Sequence, residues 1–378
     1  MMSVYVARCF ARLLSKNSSP VCISLSLLNF STFKEILPDN LHKYDFSPQL
    51  LSRVASVLAR CKNPEKSDSV LSFLKESGFS NTQLGHIVKS RPGLVVANLE
   101  KNIKPKIKIF QDLGFSADEI AEMISRNPSI LNRSMRNRII PSLTVLKGLM
   151  GSNWEVSKLL KVSSWYLNVN LDKTMVPNVE FLKSCGIPLN QITRHISYFP
   201  SFILQKPELI RKSVEKADEV GVSRSSHLFI SAVGIFSSLS EESWELKLKT
   251  FQNFGLSEDE IFGMFRRVPQ VFSVSEEKIK NIIELLLATG RYSTLSIVRY
   301  PKSLMYSIED RYKPRLHALS ALDKKNLIQD WPSLGTLCKT SDGTFFGKHV
   351  YPYLSKASNI RIERVHSLAK ESSNLSAS

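Results

Sequence analysis

The stretch Gly114–Leu131, GFSADEIAEMISRNPSIL, decides the fold because its pattern returns along the chain. In it, a glycine and a serine precede a helix-forming segment, which is followed by a proline and a short apolar run. Residues 255–272, GLSEDEIFGMFRRVPQVF, keep the same order. The proline position, which we call the anchor, falls at residues 92, 128, 164, 200, 233, 269 and 301, although the copies at 164 and 233 lack proline. This spacing of 32 to 36 residues predicts a stacked-repeat architecture.

Each copy predicts two α-helices separated by a short turn. Glycine suits the left-handed position that follows a helix C terminus. Ser116 and Glu119 have the spacing of a capping box, so the next helix begins there. That helix must end before Pro128, because the residue before a proline is pushed out of the α region. The apolar run after the proline predicts a single turn, and a longer helix then continues to the next glycine.

The longer helix carries an apolar stripe at anchor +11, +15 and +18, as in Ile103, Ile107 and Phe110. This i, i+4, i+7 spacing predicts a helix that packs against its neighbours. A second proline at anchor +13, such as Pro105, is expected to start or kink the helix. The sequence lacks the alternating apolar and polar runs of a sheet. It therefore predicts an all-α fold, a helical-repeat solenoid of about seven repeats of about 35 residues.

The repeats define the expected domain organisation. The boundaries are an organelle transit peptide over residues 1–35, an N-terminal cap over 36–65, a helical repeat array over 66–320, and a C-terminal cap with a disordered tail over 321–378. Gly343, Gly347 and Pro352 are expected to weaken any helix in the C-terminal cap.

The predicted transit peptide rests on the charges near the N terminus. Arg8, Arg12 and Lys16 precede the first acidic residue, Glu35, which is typical of organelle import sequences. Their spacing along one face of a potential amphipathic helix favours the mitochondrion, with the chloroplast as the alternative. The sequence does not fix the cleavage site.

Composition limits the classes of function. A net charge of +17 over 378 residues suits a polyanionic partner, or simply a solubilising surface. Five scattered cysteines and seven scattered histidines lack metal-ligand spacing, and no phosphate-binding loop or nucleophile motif occurs. We therefore expect no catalytic residues, no metal, no cofactor and no enzymatic activity. The four tryptophans at 154, 165, 244 and 331 are predicted to lie in the core.

Basic residues recur in the repeats at two places. One set lies at anchor +9 to +12 in six of the seven copies and comprises Lys101, Lys104, Arg138, Lys173, Arg211, Lys212, Lys278, Lys280, Arg311 and Lys313. The other lies two residues before the anchor and comprises Arg126, Arg267 and Arg299. Both sets are candidate phosphate contacts. For the first set the alternative is a solvated face, and for the second it is capping of the helix that each arginine ends.

The repeat resembles the mitochondrial transcription termination factor (mTERF) family, in its plant organelle branch. The resemblance rests on the Pro-x-Ile/Leu/Phe-Leu/Phe core, the Gly-Phe/Leu-Ser turn, and the segment from Ser257 to Ile279. It covers about residues 60–355. The resemblance implies a superhelix of three-helix repeats with a short third helix, and a concave basic groove for nucleic acid.

The same resemblance implies a function in organellar gene expression without catalysis. The expected partner is organellar duplex DNA or structured RNA, and the process is transcription termination or initiation, or RNA processing such as intron splicing. Other organellar gene-expression proteins are a second class of partner. We expect a monomer and no membrane association. The alternative is a helical-repeat scaffold for protein–protein interaction in an organelle.

Overall fold

The predicted all-α fold is confirmed by a computed structural model of the protein, which describes residues 39–58 and 67–354. No β-strand occurs within these ranges. The predicted transit peptide and the predicted disordered tail lie outside the described residues.

Nineteen α-helices span these ranges. They are α1 Pro48–Leu58, α2 Ser67–Glu76, α3 Asn81–Ser90, α4 Lys104–Asp112, α5 Ala117–Arg126, α6 Ile140–Met150, α7 Asn153–Ser163, α8 Leu171–Ser184, α9 Leu189–Tyr198, α10 Pro207–Glu219, α11 Phe229–Ser238, α12 Glu241–Gln252, α13 Glu258–Arg267, α14 Glu276–Leu287, α15 Thr294–Arg299, α16 Lys313–Asp323, α17 Leu334–Lys339, α18 Asp342–His349 and α19 Tyr351–Leu354. Short 3₁₀ turns lie at Asp39–Tyr44, Pro92–Val96, Pro128–Asn132, Ser164–Asn168, Phe202–Leu204, Pro269–Ser273 and Pro301–Met305. Turns of π-helix lie at Leu99–Ile103, Met135–Ile139 and Ile308–Tyr312.

The serine that follows the turn glycine starts the first helix of a repeat, as predicted. Ser80, Ser116 and Ser257 each form a complete capping box with the residue three positions later. Each of these hydroxyls accepts a hydrogen bond from a backbone N–H, which satisfies one of the donors left open at a helix start. Gly114 and Gly151 have φ of 88° and 84°, the left-handed conformation that closes the preceding helix.

The anchor proline ends the first helix and begins the predicted short turn. Pro92, Pro128, Pro269 and Pro301 are each the first residue of a 3₁₀ turn. The ring fixes φ and supplies no N–H, so it suits a first position, where no intrahelical partner is needed.

The two copies without an anchor proline depart from this pattern. At residue 164 the 3₁₀ turn follows α7 directly. At residue 233 the prediction of a three-helix repeat is wrong, because α11 runs continuously across the anchor and no short turn follows it. Without a proline, the backbone N–H groups at this position stay inside an unbroken helix.

The second proline of the repeat starts the long helix in three copies. Pro105, Pro141 and Pro314 are second residues of α4, α6 and α16, and a turn of π-helix precedes each of these helices. The wider turn accommodates the proline ring, which clashes with the carbonyl four residues earlier in a regular α-helix. Pro177 instead lies inside α8.

The described residues group into two compact units. The first comprises residues 1–139 and 160–168, and the second comprises residues 140–159 and 169–378, in each case within the described ranges. In the first unit, Ile103, Ile107 and Phe110 of the predicted stripe are at most 3% exposed. In the second unit, Phe265 and Phe272 pack against Trp244 with ring centroids 5.4 and 5.0 Å away.

One expectation about the core is wrong. Trp154 is 64% exposed, because it occupies the first turn of α7, where the other repeats place polar residues. Helix α18 forms over both Gly343 and Gly347, since Ser341 caps it and Phe345 is fully buried. Trp244 is buried as predicted, whereas the tryptophans at 165 and 331 are half-buried.

No helix within the described ranges combines the length and apolar character that crossing a bilayer requires.

Candidate nucleic-acid interface

In six of the seven repeats, the basic residues at anchor +9 to +12 lie just before the long helix or within its first two turns. Lys101 is in the π-helical turn before α4, Lys173 is in the first turn of α8, and Lys280 lies one turn into α14. A helix N terminus carries a partial positive charge, so a cation there is intrinsically unfavourable. Cations at this end add to the local positive potential and make it attractive to an anion.

Three of these lysines form surface ion pairs, and Lys104 also lies over the ring of Phe73, 5.7 Å from its centroid. Lys104 Nζ lies 2.5 Å from Glu100, Lys313 Nζ lies 2.6 Å from Glu309, and Lys280 Nζ lies 3.8 Å from Glu284. All three pairs have i, i+4 spacing, and the lysine side chains are 43–61% exposed. Exposed pairs of this kind contribute about 0.3–0.5 kcal/mol. A phosphate can therefore replace the carboxylate at little cost.

Four further members of the first set have no side-chain hydrogen bond or ion pair among the described residues. Lys101, Lys173 and Lys212 are exposed, and Arg138 is half-buried. Arg211 is also exposed, and its guanidinium lies over the ring of Phe181, 4.5 Å from the centroid. These side chains are available to an external partner.

Lys278 and Arg311 instead donate hydrogen bonds to backbone carbonyls of the following repeat. Lys278 Nζ donates to the Met305 carbonyl at 3.2 Å, and its partial burial lowers its pKa. Arg311 donates to the Thr340 carbonyl at 2.8 Å and lies 3.4 Å from Asp342. Contacts between neighbouring repeats therefore explain the presence of both cations, without an external ligand.

Arg267, two residues before its anchor, caps its own helix and also contacts the next repeat. Arg267 Nε donates to the carbonyl of Gly263 at 3.0 Å, and its Nη2 donates to the carbonyl of Val298 at 2.6 Å. Val298 lies near the end of α15, so Arg267 also caps the first helix of the next repeat.

Arg126 reaches the equivalent place in its own unit. It donates to the carbonyl of Lys161 at 3.4 Å and pairs with Glu122. Arg299 is exposed, with no such contact among the described residues. Among the described residues, capping of the arginine's own helix therefore has a geometric basis for Arg267; Arg126 instead caps the first helix of the next repeat, and Arg299 makes neither contact.

A column of buried polar residues at anchor +14 was missed by sequence reasoning. We call it the carbonyl-binding column; its members are Lys106, Ser142, Asn178, Lys247 and Arg315, all at most 3% exposed. Each donates to a carbonyl near the end of the short turn, or of the first helix, in the next repeat. The distances are 2.5 Å from Lys106 to Leu131, 3.3 Å from Ser142 to Val169, 2.9 and 2.8 Å from Asn178 to Ile203 and Gln205, 2.7 Å from Lys247 to Val274, and 2.6 Å from Arg315 to Leu337.

The column has a plain physical cause. A 3₁₀ turn ends with carbonyls that lack a helical partner, and burying such a group unpaired costs about 1–3 kcal/mol. A long donor from the preceding repeat satisfies it. Burial lowers the pKa of Lys106 to about 8 and also lowers that of Arg315. The signal in the sequence was a polar residue that recurs immediately before the +15 position of the apolar stripe.

The column also distinguishes cations that hold neighbouring repeats together from cations that are free to bind a ligand. Lys106, Lys247 and Arg315 are committed to carbonyls and lie out of reach of a phosphate. The candidate interface therefore consists of the exposed cations at the starts of the long helices. No group of three or more metal-ligating side chains occurs in the part of the chain that the structure describes.

Comparison with known proteins is consistent with this architecture. No curated protein matches the chain. The mTERF family model, by contrast, matches residues 20–220 and 217–346. Because these matches together span most of the sequence, the chain belongs to the mTERF family.

Proposed function

We propose that this protein binds organellar nucleic acid without catalysis and regulates gene expression there, through transcription termination or initiation or through RNA processing such as intron splicing. Members of the mTERF family are in general organellar proteins that bind nucleic acid and regulate transcription or RNA processing. Assignment to the plant organelle branch, and to the mitochondrion rather than the chloroplast, is part of the proposal.

The observation that carries the proposal is the recurrence of exposed cations at one position of the repeat. Lys101 and Lys173 lie at the start of two different long helices, Lys212 lies more than one turn inside a third, and none of them has an ion pair among the described residues. A buried or paired cation has a structural explanation, whereas an unpaired cation at a positive helix end has none. A phosphate backbone offers one negative charge per nucleotide, which suits repeated single cations.

Two charge-reversal variants with the same net change test this proposal. The first replaces Lys101, Lys104, Lys173, Lys212 and Lys280, at the starts of the long helices, with Glu. The control replaces Lys108, Lys147, Lys183, Lys249 and Lys324, which are all exposed and lie later in the long helices or beyond them, with Glu. None of the ten side chains donates to a backbone carbonyl of the described residues, so both variants should melt near the wild-type temperature.

We expect the first variant to bind labelled duplex DNA and structured RNA at least about 100-fold more weakly than wild type at 0.1 M salt, and the control to bind within about 10-fold. Wild-type affinity should fall steeply with salt. On duplex DNA the log–log slope should flatten by about 4.5 in the first variant if each of its lysines neutralises one phosphate. Equal losses in both variants would mean that only net charge matters, and unchanged binding would favour the scaffold alternative. The ratio of DNA to RNA affinity then decides between the two classes of target.

A further inference from the structure

The irregular repeat around residue 233 leaves an open cleft. Here α11 crosses the anchor without a break, and no short turn follows it. A cleft of about 260 Å³ lies there. Its lining includes Val220 at the end of α10, Phe236 of α11, Trp244 of α12 and Phe262 of α13.

The wall of the cleft is aromatic and fixed. Trp244 lies 4.8 Å from Phe236 and is held from the core side by Phe272, 5.0 Å away. Phe262 stacks beside Trp244 with an interplanar angle of 20° and is half-exposed. Phe262 therefore supplies the exposed part of this wall, whereas Trp244 and Phe236 behind it are only 8% and 5% exposed.

Glu219 of α10 and Glu241 of α12 line the cleft, together with Lys216, which pairs with Glu241. Glu215 and Glu219 lie one turn apart on α10, and Glu241 and Glu245 lie one turn apart on α12. Like charges at i, i+4 destabilise a helix. Glu241 pairs with Lys216, but Glu215, Glu219 and Glu245 have no ion pair among the described residues.

The segment that contains the cleft has a net negative charge, whereas the chain as a whole has a net positive charge. Residues 213–262 contain nine acidic and four basic residues, in a protein of net charge +17. Three of those four cations are committed, since Lys216 pairs with Glu241, Arg224 pairs with Asp218, and Lys247 is buried. Arg266, just beyond this segment, donates to the Val220 carbonyl at 3.0 Å. A nucleic acid would be repelled here, whereas a cation would be attracted.

We propose that this cleft, walled by Trp244 and Phe262 and flanked by the carboxylates of α10 and α12, docks a basic segment of a partner protein. An arginine of the partner lies against the aromatic faces, where a guanidinium is attracted by the ring quadrupole. Neighbouring cations of the same segment pair with Glu219 and Glu245. The exposed Leu246 of α12 adds an apolar contact at the edge. None of the residues that line the cleft belongs to the candidate nucleic-acid interface.

The test uses the full-length protein and three labelled twelve-residue peptides. One alternates Arg and Leu, one alternates Arg and Ser, and one alternates Glu and Leu. Two variants change the cleft, Phe262→Ser and Glu219→Lys/Glu245→Lys. A control variant, Asp172→Lys/Glu277→Lys, reverses two exposed acids of α8 and α14 that do not line the cleft.

We expect the Arg/Leu peptide to bind wild type with a Kd on the order of 100 µM or tighter. Both cleft variants should weaken it at least about 10-fold, and the control should not. The Arg/Ser peptide should bind more weakly, and the Glu/Leu peptide should not bind. If Phe262→Ser lowers the melting temperature, the variant Glu219→Lys/Glu245→Lys still tests the cleft. Equal binding by the cleft and control variants, preference for the acidic peptide, or no binding of Arg/Leu at 1 mM would overturn the proposal.

Discussion

His195 and Gly234 lie so close together that a side chain at position 234 has no room. A Cβ built on Gly234 would lie 2.6 Å from Nε2 of His195. The imidazole is 8% exposed and packs between Phe199 and Phe202, with ring centroids 5.0 and 4.9 Å away. Burial lowers the pKa of His195 to about 4, so the ring is neutral at physiological pH. One glycine thus permits α11 to approach α9.

Replacing Gly234 with Ala should therefore destabilise the protein although alanine favours helix. We expect a loss of about 1–3 kcal/mol in the free energy of unfolding, measured by urea denaturation. The variant His195→Ala/Gly234→Ala should lose less than the sum of the two single changes, because removing the ring removes the clash. Strict additivity would show that the close approach has no energetic cost. Gly263→Ala provides a matched control, since only the end of the Arg266 side chain lies near a Cβ there.

Lys106 gives the stability a pH dependence with a defined sign. Its pKa is lowered to about 8 by burial, from 10.5 for a solvated lysine. Between these values the unfolded chain holds a proton that the folded chain releases, so stability from this group rises with pH. Below about pH 8 both states are protonated, and the cost of the buried charge is constant.

We expect the free energy of unfolding of wild type, relative to Lys106→Met, to rise by up to about 1.4 kcal/mol per pH unit from pH 8 to 10. From pH 6 to 7.5 the difference between the two proteins should stay flat. Denaturant titrations at each pH measure it, and the comparison cancels the titration of every other group. A difference that falls above pH 8 would contradict the assigned shift.

At the scale of helices and turns, the sequence predicted the local structure well. Ser116 with Glu119 predicted a capping box, and Pro128 predicted both a helix end and a short turn. These signals are local, since each depends on residues no more than four apart. The π-helical turns before Pro105 and its equivalents were not predicted, because the proline fixes where the helix begins but not how the preceding turn adapts.

The candidate site was predicted less completely, for a physical reason. Exposed cations such as Lys173 and packing cations such as Lys278 look alike in sequence. The difference between them is a carbonyl about 27 residues further along the chain, 3.2 Å from the Lys278 ammonium. Periodicity identifies equivalent positions but does not show which of them meet a carbonyl of the next repeat.

Asn178 tests the carbonyl-binding column at this scale. Its amide donates to two carbonyls, those of Ile203 and Gln205, so Asn178→Leu leaves both buried acceptors without this donor. We expect a loss of about 2–4 kcal/mol in the free energy of unfolding, despite the larger apolar side chain. Asn178→Asp should be at least as damaging, because a carboxylate cannot donate. Ser142→Ala, which removes one longer hydrogen bond of 3.3 Å, should cost less. Urea denaturation of the three variants gives the order, and a stable Asn178→Leu would show that the column is dispensable.

At the scale of the whole molecule, stacked repeats make stability a local property. In such an architecture a repeat contacts mainly its sequence neighbours, so a broken contact weakens those neighbours first. Hydrogen exchange measures this, because each segment opens with its own free energy.

Asn178→Leu should therefore change exchange unevenly along the second compact unit. Protection should fall most in α8, in the turn Phe202–Leu204 and in α10. Asn178 of α8 contacts this turn, and α10 follows the turn along the chain. Helices α14 and α16, two or more repeats away, should exchange at nearly the wild-type rate at low denaturant. A uniform loss across the unit would mean that it opens as a single cooperative block, and the nearest-neighbour description would fail. If protection is instead lost only near α8 and α10, a substitution in one repeat leaves distant repeats folded. A loss of binding caused by a substitution in α14 can then be attributed to α14 and its neighbours.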